Sequence, residues 1–511
     1  MGTLMAINPA TGKVIDEVEE TSLEMVPEMM AQAREAFEGW KTLPIRERLH
    51  YFKRLRLLLV QELDHCVEII ASDAGKPKVE AITAELLTTV ESLRHLEKHG
   101  EDVLRTKKVK TPLALLGKKS YIVHEPKGTV LIISPWNYPF SLAVIPMLSA
   151  LVSGNCVILK PSEITPMIGK LIQSLFAKAG FPDGTVQVAH GSGELGARLV
   201  AASPNYILFT GSIKTGKKIQ KAAAEQLIGT TLELSGKDPM IVFDDAHLER
   251  AAKGAVWGAL TNSGQVCMSV ERIYVQQSVY APFIELLKKE LNTLRQEISD
   301  DTDLGVMTFA PQVAIVKEHL RDAMEKGAIQ EVGSYDESWH ENDSFRLEPV
   351  LLTNVTEDMK IMSEETFGPV LCVVPFSSED EAVRCANDSE FGLNASVFSK
   401  DIEKAKRVAA RLETGAVCIN DVVVSFANPH LPFGGVKNSG LGRYHGRAGI
   451  ELFTEPKAIL LDEGKKATEV NWYPYAGKYP YFKQLITAYY GKRIQWPSFL
   501  AAYRKLLKKS Q

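Results

Sequence analysis

The chain has 511 residues, enough for about two to four domains at roughly 100–200 residues each. Hydrophobic residues at 45% and charged residues at 24% match ordinary globular usage and exclude the disordered and fibrous classes. A net charge of −4 on a chain this long gives no global attraction for nucleic acid, so a small molecule is the expected partner.

The opening MGTLMAINPATG lacks the basic start and apolar run of a signal peptide, and Ala6 stands where myristoylation needs Ser or Thr. Residues 22–100 carry apolar positions at helical spacing among charges, such as Ala33, Phe37 and Trp40, and predict a helical region. Lys107 to Lys127 alternates basic residues with short β-prone runs and predicts an exposed hairpin. From Gly128 to Leu159 no residue is charged, a length that could span a bilayer. Pro135, Pro139 and Pro146, with several polar residues, divide it instead into strand, turn, helix and strand.

Strands at Thr129–Ile133, Cys156–Leu159, Val186–Ala189, Tyr206–Thr210 and Thr231–Leu234 alternate with helices, the signature of a parallel sheet. A second α/β stretch follows, with strands near Met240–Phe243, Arg272–Val275, Val370–Val374 and Ala416–Ile419. Two such lobes place a cleft between them, where cofactors and substrates usually sit. The last 42 residues differ in kind: they hold eight Lys/Arg and eleven aromatics but no acid. Charges interrupt every apolar run there, which excludes a membrane span. Pro497 with Phe499, Tyr503, Leu506 and Leu507 predicts a short amphipathic helix. Two readings of this tail stay open: a weak peripheral membrane contact, or packing over the body or a partner subunit that narrows the substrate entrance.

Six cysteines with no CxxC, and with no Cys/His pairing at metal-ligand spacing, point to a reducing, cytoplasmic setting without disulfides or a metal site. The sharpest local signal is Asn262-Ser-Gly-Gln-Val-Cys267, whose polar, glycine-containing approach is unlike a core strand. A thiol with a free pKa of about 8.5 wants an adjacent base. Glu233, at the carboxyl end of a predicted strand and before Ser235-Gly236-Lys237, is the candidate; a Glu paired with a nearby Lys is the bland alternative. Asn137, between two prolines, is either a turn residue or an oxyanion donor. Gly211 and Ser212, between a strand and a helix that contains Gly216, could meet a pyrophosphate, though the GxxxxG spacing is weak evidence. Lys160 and Glu163 could hold ribose hydroxyls or form a surface ion pair.

Together SPWNYP, FTGSIKTG, LELSGK and NSGQVC, in this order, resemble the aldehyde dehydrogenase superfamily. So do EETFGP (364–369), FGLN (391–394) and PFGGVKNSG (432–440). The likeness runs over roughly residues 5–460, and YHG (444–446) is most similar to the class 3 and fatty-aldehyde branch. It implies an α/β fold with a cofactor-binding domain (1–106 and 128–234), a catalytic domain (235–420), an oligomerisation element (107–127 and 421–460) and a C-terminal extension (461–511). It also implies Cys267 as nucleophile, Glu233 as base and Asn137 as oxyanion donor. Cofactor contacts follow for Trp136, Lys160, Glu163, Gly211, Ser212, Gly216, Leu234, Glu365 and Phe367, and a homo-oligomer, a dimer before a tetramer.

The implied reaction is oxidation of an aldehyde to an acid with NAD(P)+, through a thiohemiacetal and a thioester hydrolysed with Glu233 as base. Glu163 would repel a 2′-phosphate and favours NAD, although the class 3 branch accepts NADP too. Trp136, Tyr138 and the aromatic tail suggest an apolar tunnel, hence medium-chain, long-chain, aromatic or polyene aldehydes. Ser235 stands where the family usually has Gly, and Ser269 where it has a small apolar residue or Asn. A non-catalytic binding protein on the same scaffold is the alternative, and loss of the thiol or the carboxylate would be its mark; both are present.

Overall fold

A computed structural model describes residues 2–296, 301–334 and 345–510. The chain divides into two units, Met1–Arg105 with His124–Pro456, and Thr106–Val123 with Lys457–Gln511. In the first, a six-stranded sheet runs in the order Gly440–Leu441, Gly229–Glu233, Tyr206–Thr210, Thr129–Ile133, Cys156–Lys160, Val186–Val188. Every pair is parallel except the first. Thr129–Ile133, Cys156–Lys160 and Tyr206–Thr210 are buried at every position, as parallel strands covered on both faces must be.

The register aligns the strands' carboxyl ends: Ile133 lies beside Lys160 and Phe209, and Thr210 beside Glu233. The loops after these strands therefore come together along one edge, the place where open α/β sheets bind ligands. The charge-free segment resolves into strand, loop, the fully buried helix Ser141–Val152 and strand. Among the described residues no helix is long and apolar enough to cross a membrane. The predicted helical region is a set of helices from Val26 to Leu104.

The second sheet has seven strands in the order Ile329–Val332, Val350–Thr353, Val370–Phe376, Val270–Gln276, Asp238–Val242, Asn394–Phe398, Ala416–Ile419. Only Ile329–Val332 runs antiparallel to its neighbour. Asn394–Phe398 escaped prediction because Asn, Ala and Ser interrupt its apolar run, yet it is buried throughout.

In the other unit, Lys107–Val109 pairs antiparallel with residues 120–122, and residues 457–461 extend the same sheet. Two helices, Tyr479–Tyr490 and Trp496–Ser510, pack on each other through Phe499, with Tyr489 5.6 Å from its ring. The second is the helix predicted around Pro497; the first was hidden by its many tyrosines.

Asn155 joins three parts of the first unit. Its Oδ1 accepts from Gly128 N at 2.9 Å, and its Nδ2 donates to Ala150 O at 3.0 Å and Phe453 O at 2.9 Å, all fully buried. Asn155→Ala leaves a buried N–H and two buried carbonyls without these partners. Urea denaturation is expected to show a loss of about 3 kcal/mol or more, since each orphaned group costs about 1–3 kcal/mol.

Candidate active site

Cys267 follows a loop whose backbone is unusual. After helix Leu248–Leu260, Asn262, Ser263 and Gly264 all take positive φ, at 51°, 57° and 75°. Two side-chain-bearing residues in this region are costly and persist only where the surroundings compel them. Glu80 does so, both carboxylate oxygens accepting from Asn262 N at 3.0 Å and one from Thr261 Oγ1 at 3.1 Å. Gly264 has no alternative residue, because a Cβ there would lie 2.1 Å from Gly368 O.

Asn137 meets this loop. Its Nδ2 donates to Gln265 O at 2.9 Å, and its own carbonyl accepts from Lys76 Nζ at 2.7 Å and Asn262 Nδ2 at 2.9 Å. Lys76 is in turn paired with Glu85 at 2.7 Å, both side chains fully buried, and sits over the Tyr138 ring at 4.2 Å. Glu85 Oε2 accepts from Phe140 N and Ser141 N, which fixes the turn that carries Asn137. Glu85 lies on a π-helical turn, Ala81–Leu87, and Glu80 just precedes it. One of the two amide N–H groups of Asn137 is thus taken and the other is left for a ligand.

Glu233 ends its strand and is 3% exposed, with neither carboxylate oxygen hydrogen-bonded among the described residues. Burial pushes its pKa well above the carboxylate range, and Arg443 only partly opposes this. The Cys267 thiol is likewise pushed well above its ordinary value, first by burial and then by Glu365, Asp238 and Glu233. Both shifts favour the uncharged forms, thiol and carboxylic acid.

Two cavities adjoin here, and Cys267 and Glu233 line both. The larger, of about 210 Å³, is walled by Tyr138, Leu142, Val266, Met268, Phe426 and Phe433 among others; among the described residues Glu233 is its one carboxyl, and no Lys, Arg or His lines it. Trp257 and Val424, 49% and 42% exposed, mark its mouth. The smaller, of about 130 Å³, is lined by Trp136, Asn137, Gly211, Ser212, Leu234, Ser235, Glu365 and Phe367.

The smaller cavity has what a dinucleotide needs. Gly211 N donates to Glu233 O at 3.0 Å, which leaves the Gly211–Ser212 turn at the amino end of helix Ile213–Glu225, capped by Ser212 Oγ. Positive helix-end dipole and free N–H groups suit a pyrophosphate. Gly216 stays small because a Cβ would meet the Leu234 side chain at 2.6 Å. Lys160, at the end of its strand, pairs with Glu163 at 2.5 Å. Neither Gly216, Lys160 nor Glu163 borders the smaller cavity itself. Buried Thr210 Oγ1 and Ser134 Oγ lack partners among the described residues. The residues fit a dinucleotide.

Glu365 and Phe367 are held across this cavity by groups that sequence reasoning missed. Glu271, ion-paired with buried Lys237, accepts from Thr366 N at 2.9 Å and Phe367 N at 3.0 Å, and Phe367 takes a φ of 52°. Its ring stands edge-on to Trp136 at 5.5 Å. Glu365 Oε1 accepts from Gly236 N at 3.0 Å, and the Ser235 hydroxyl also bonds this carboxylate. The two departures from the family pattern find their roles: Ser235 anchors Glu365, and Ser269 Oγ turns away to the carbonyls of Gly258 and Ala259 at 3.4 Å. Gly236 approaches so closely that a Cβ would lie 2.0 Å from Cys267 O. A charged residue inside a strand, such as Glu271, was the available signal for this support.

The aldehyde dehydrogenase family profile matches residues 2–459. Among curated proteins, the chain is similar to the 4,4′-diapolycopene aldehyde oxidase of Methylomonas sp, 42% identical over 494 residues, 96% of this chain and 92% of that protein. It is 35% identical over 465 residues to the 4,4′-diaponeurosporen-aldehyde dehydrogenase of Staphylococcus aureus, 90% and 99% of the two chains. Among solved structures, the NAD+ complex of an aldehyde dehydrogenase from Bacillus cereus superposes with a TM-score of 0.86 at 33% identity, covering 90% of this chain and 94% of that one.

Burial, with Glu271 next, raises Glu365 to about 7, so this carboxyl stabilises the fold while protonated and loses that contribution as pH climbs through its folded pKa. Glu365→Gln keeps the amide neutral throughout. Its stability relative to the parent should improve steadily from about pH 5 to about pH 8 in thermal denaturation; a pH-independent difference would contradict this environment.

Proposed function

Because the chain belongs to the aldehyde dehydrogenase family, we propose that it oxidises apolar aldehydes, long-chain or polyene, to carboxylic acids through a thioester on Cys267. The reading rests on one observation: Cys267 and Glu233 form the shared wall of an apolar cavity and a cavity suited to a dinucleotide.

The enzyme is NAD(P)-dependent, and the dinucleotide when bound supplies the hydride acceptor. The rest is done by the chain's own side chains. The Cys267 thiol passes its proton to water in the cavity and from there to solvent, and its sulfur adds to the aldehyde carbon. The oxyanion takes a hydrogen bond from the uncommitted Asn137 N–H, a type of contact worth about 3–4 kcal/mol in related chemistry. Loss of hydride leaves the acyl group on sulfur. Glu233, once ionised, draws a proton from water, the hydroxide oxygen attacks the thioester carbon, and Cys267 leaves as thiolate with release of the acid. Burial of Glu233 without a fixed partner keeps its lone pairs available to that water.

The apolar cavity supports the substrate class, since no cation among the described residues lines it to hold a second carboxylate. Two relatives whose names specify polyene aldehydes support it further. The YHG run at 444–446 agrees with a place in the class 3 and fatty-aldehyde branch. NAD is favoured over NADP because Glu163 would stand near the 2′ position.

Cys267→Ala should produce no NADH. Glu233→Gln should release about one NADH per active site in a burst and then turn over slowly, as expected when thioester hydrolysis loses its base. In the parent enzyme the pH at which kcat falls by half on the acid side should lie above the usual carboxylate value of about 4.3, because burial raises Glu233. Full turnover by Glu233→Gln would remove that role.

With straight-chain aldehydes, kcat/KM should rise about fourfold per methylene, the equivalent of about 0.8 kcal/mol each, until the chain passes the cavity mouth. A survey with both NAD and NADP measures this directly. A preference for acetaldehyde or succinic semialdehyde over decanal would overturn the substrate class.

A further inference from the structure

Away from the thiol, three imidazoles converge. His95 and His99 are four residues apart on helix Thr88–Leu104, which places them on one face, and His430 reaches them from the segment that follows the turn Val424–Ala427. One ring nitrogen of each lies within 4.8 Å of one of each other, with ring centroids 4.3–5.2 Å apart. The Nδ1 of His95 is shielded from solvent and has no hydrogen-bond partner among the described residues. A buried ring nitrogen without a partner costs free energy unless something accepts its lone pair.

The expectation of no metal site considered only Cys/His pairings, and His95-x3-His99 gains meaning only when His430 arrives. We propose that His95, His99 and His430 bind a divalent transition-metal ion of the zinc class. Three imidazole nitrogens form a donor set that suits zinc, cobalt or nickel, and one that magnesium and calcium decline. With metal–nitrogen bonds of about 2.0–2.1 Å, three ligands and a water make a tetrahedron. Its nitrogen–nitrogen edges of about 3.3 Å are reached from 4.8 Å by side-chain rotation, which His430, exposed at the surface, is free to make.

The position gives such an ion an effect. The segment ending at His430 supplies Val423, Val424, Phe426 and Ala427 to the wall and mouth of the apolar cavity, and the helix bearing His95 and His99 begins at Thr88, which lines the same cavity. A bound ion therefore ties one wall of the substrate cavity to another. The family assignment is not needed for this site to bind metal, so the two readings fail separately.

The Cys267 sulfur could itself coordinate zinc or cobalt, so the test uses the Cys267→Ala protein, otherwise complete. Titration with Co2+ at pH 7.5 should saturate at one ion per chain and give visible d–d bands without the sulfur-to-cobalt charge transfer of a thiolate site. His430→Ala, a surface change that leaves folding intact, should weaken Co2+ and Zn2+ binding at least tenfold, as should His95→Ala. Hydrogen exchange of the 423–430 amides should slow when Zn2+ is added. Binding that is unchanged in both histidine variants, or no binding at millimolar Co2+, overturns the site. Binding without slowed exchange overturns the tie to the cavity wall.

Discussion

The buried Lys76–Glu85 pair is the contact on which the site's geometry depends. Removing two charges from water is expensive, and the cost is offset only when every remaining donor and acceptor is used. Here they are used. Lys76 spends one N–H on Glu85, another on the carbonyl of Asn137, and rests against the Tyr138 ring. Glu85 spends its second oxygen on the first turn of the buried helix Ser141–Val152. A single ion pair thus joins the helical region, the loop after the first sheet strand and, through Asn137, Asn262 and Gln265, the loop that delivers Cys267.

That rigid frame surrounds chemistry kept in an unreactive form. Reactive cysteines commonly sit beside a cation that stabilises the thiolate. The neighbours of Cys267 are carboxyls instead, and they raise the thiol together with burial. A neutral thiol resists oxidation, since the thiolate is the form that oxidants attack.

Much of this was legible in the sequence, and for physical reasons. Strands such as Thr129–Ile133 and Tyr206–Thr210 are short runs of β-branched and aromatic residues between polar breaks, and a strand buried on both faces has to look like that. Cys267, Glu233 and Asn137 stood out because each follows or ends an element with glycine or proline beside it. Lys76, Glu80, Glu85 and Glu271 did not, because a charged residue in a helix, a strand or the short loop between two helices reads as solvated until its partners are known. Those partners lie far along the chain: Glu80 with Asn262, Lys76 with Asn137, Glu271 with Phe367. The histidine cluster was invisible for the same reason. Strand Asn394–Phe398 was missed because Asn, Ala and Ser break the apolar run by which a strand buried on both faces is recognised.

The π-helical turn Ala81–Leu87 has one more consequence. On a regular α-helix, side chains five positions apart point about 140° away from each other. The wider π turn, closed by i→i+5 bonds, brings such residues nearly above one another. Glu80 and Glu85 are five apart, and both aim inward, one at the backbone before the nucleophile and one at Lys76. The extra residue in that turn works as a phase shifter. Deleting it would mend the helix and swing one of the two carboxylates out of the protein.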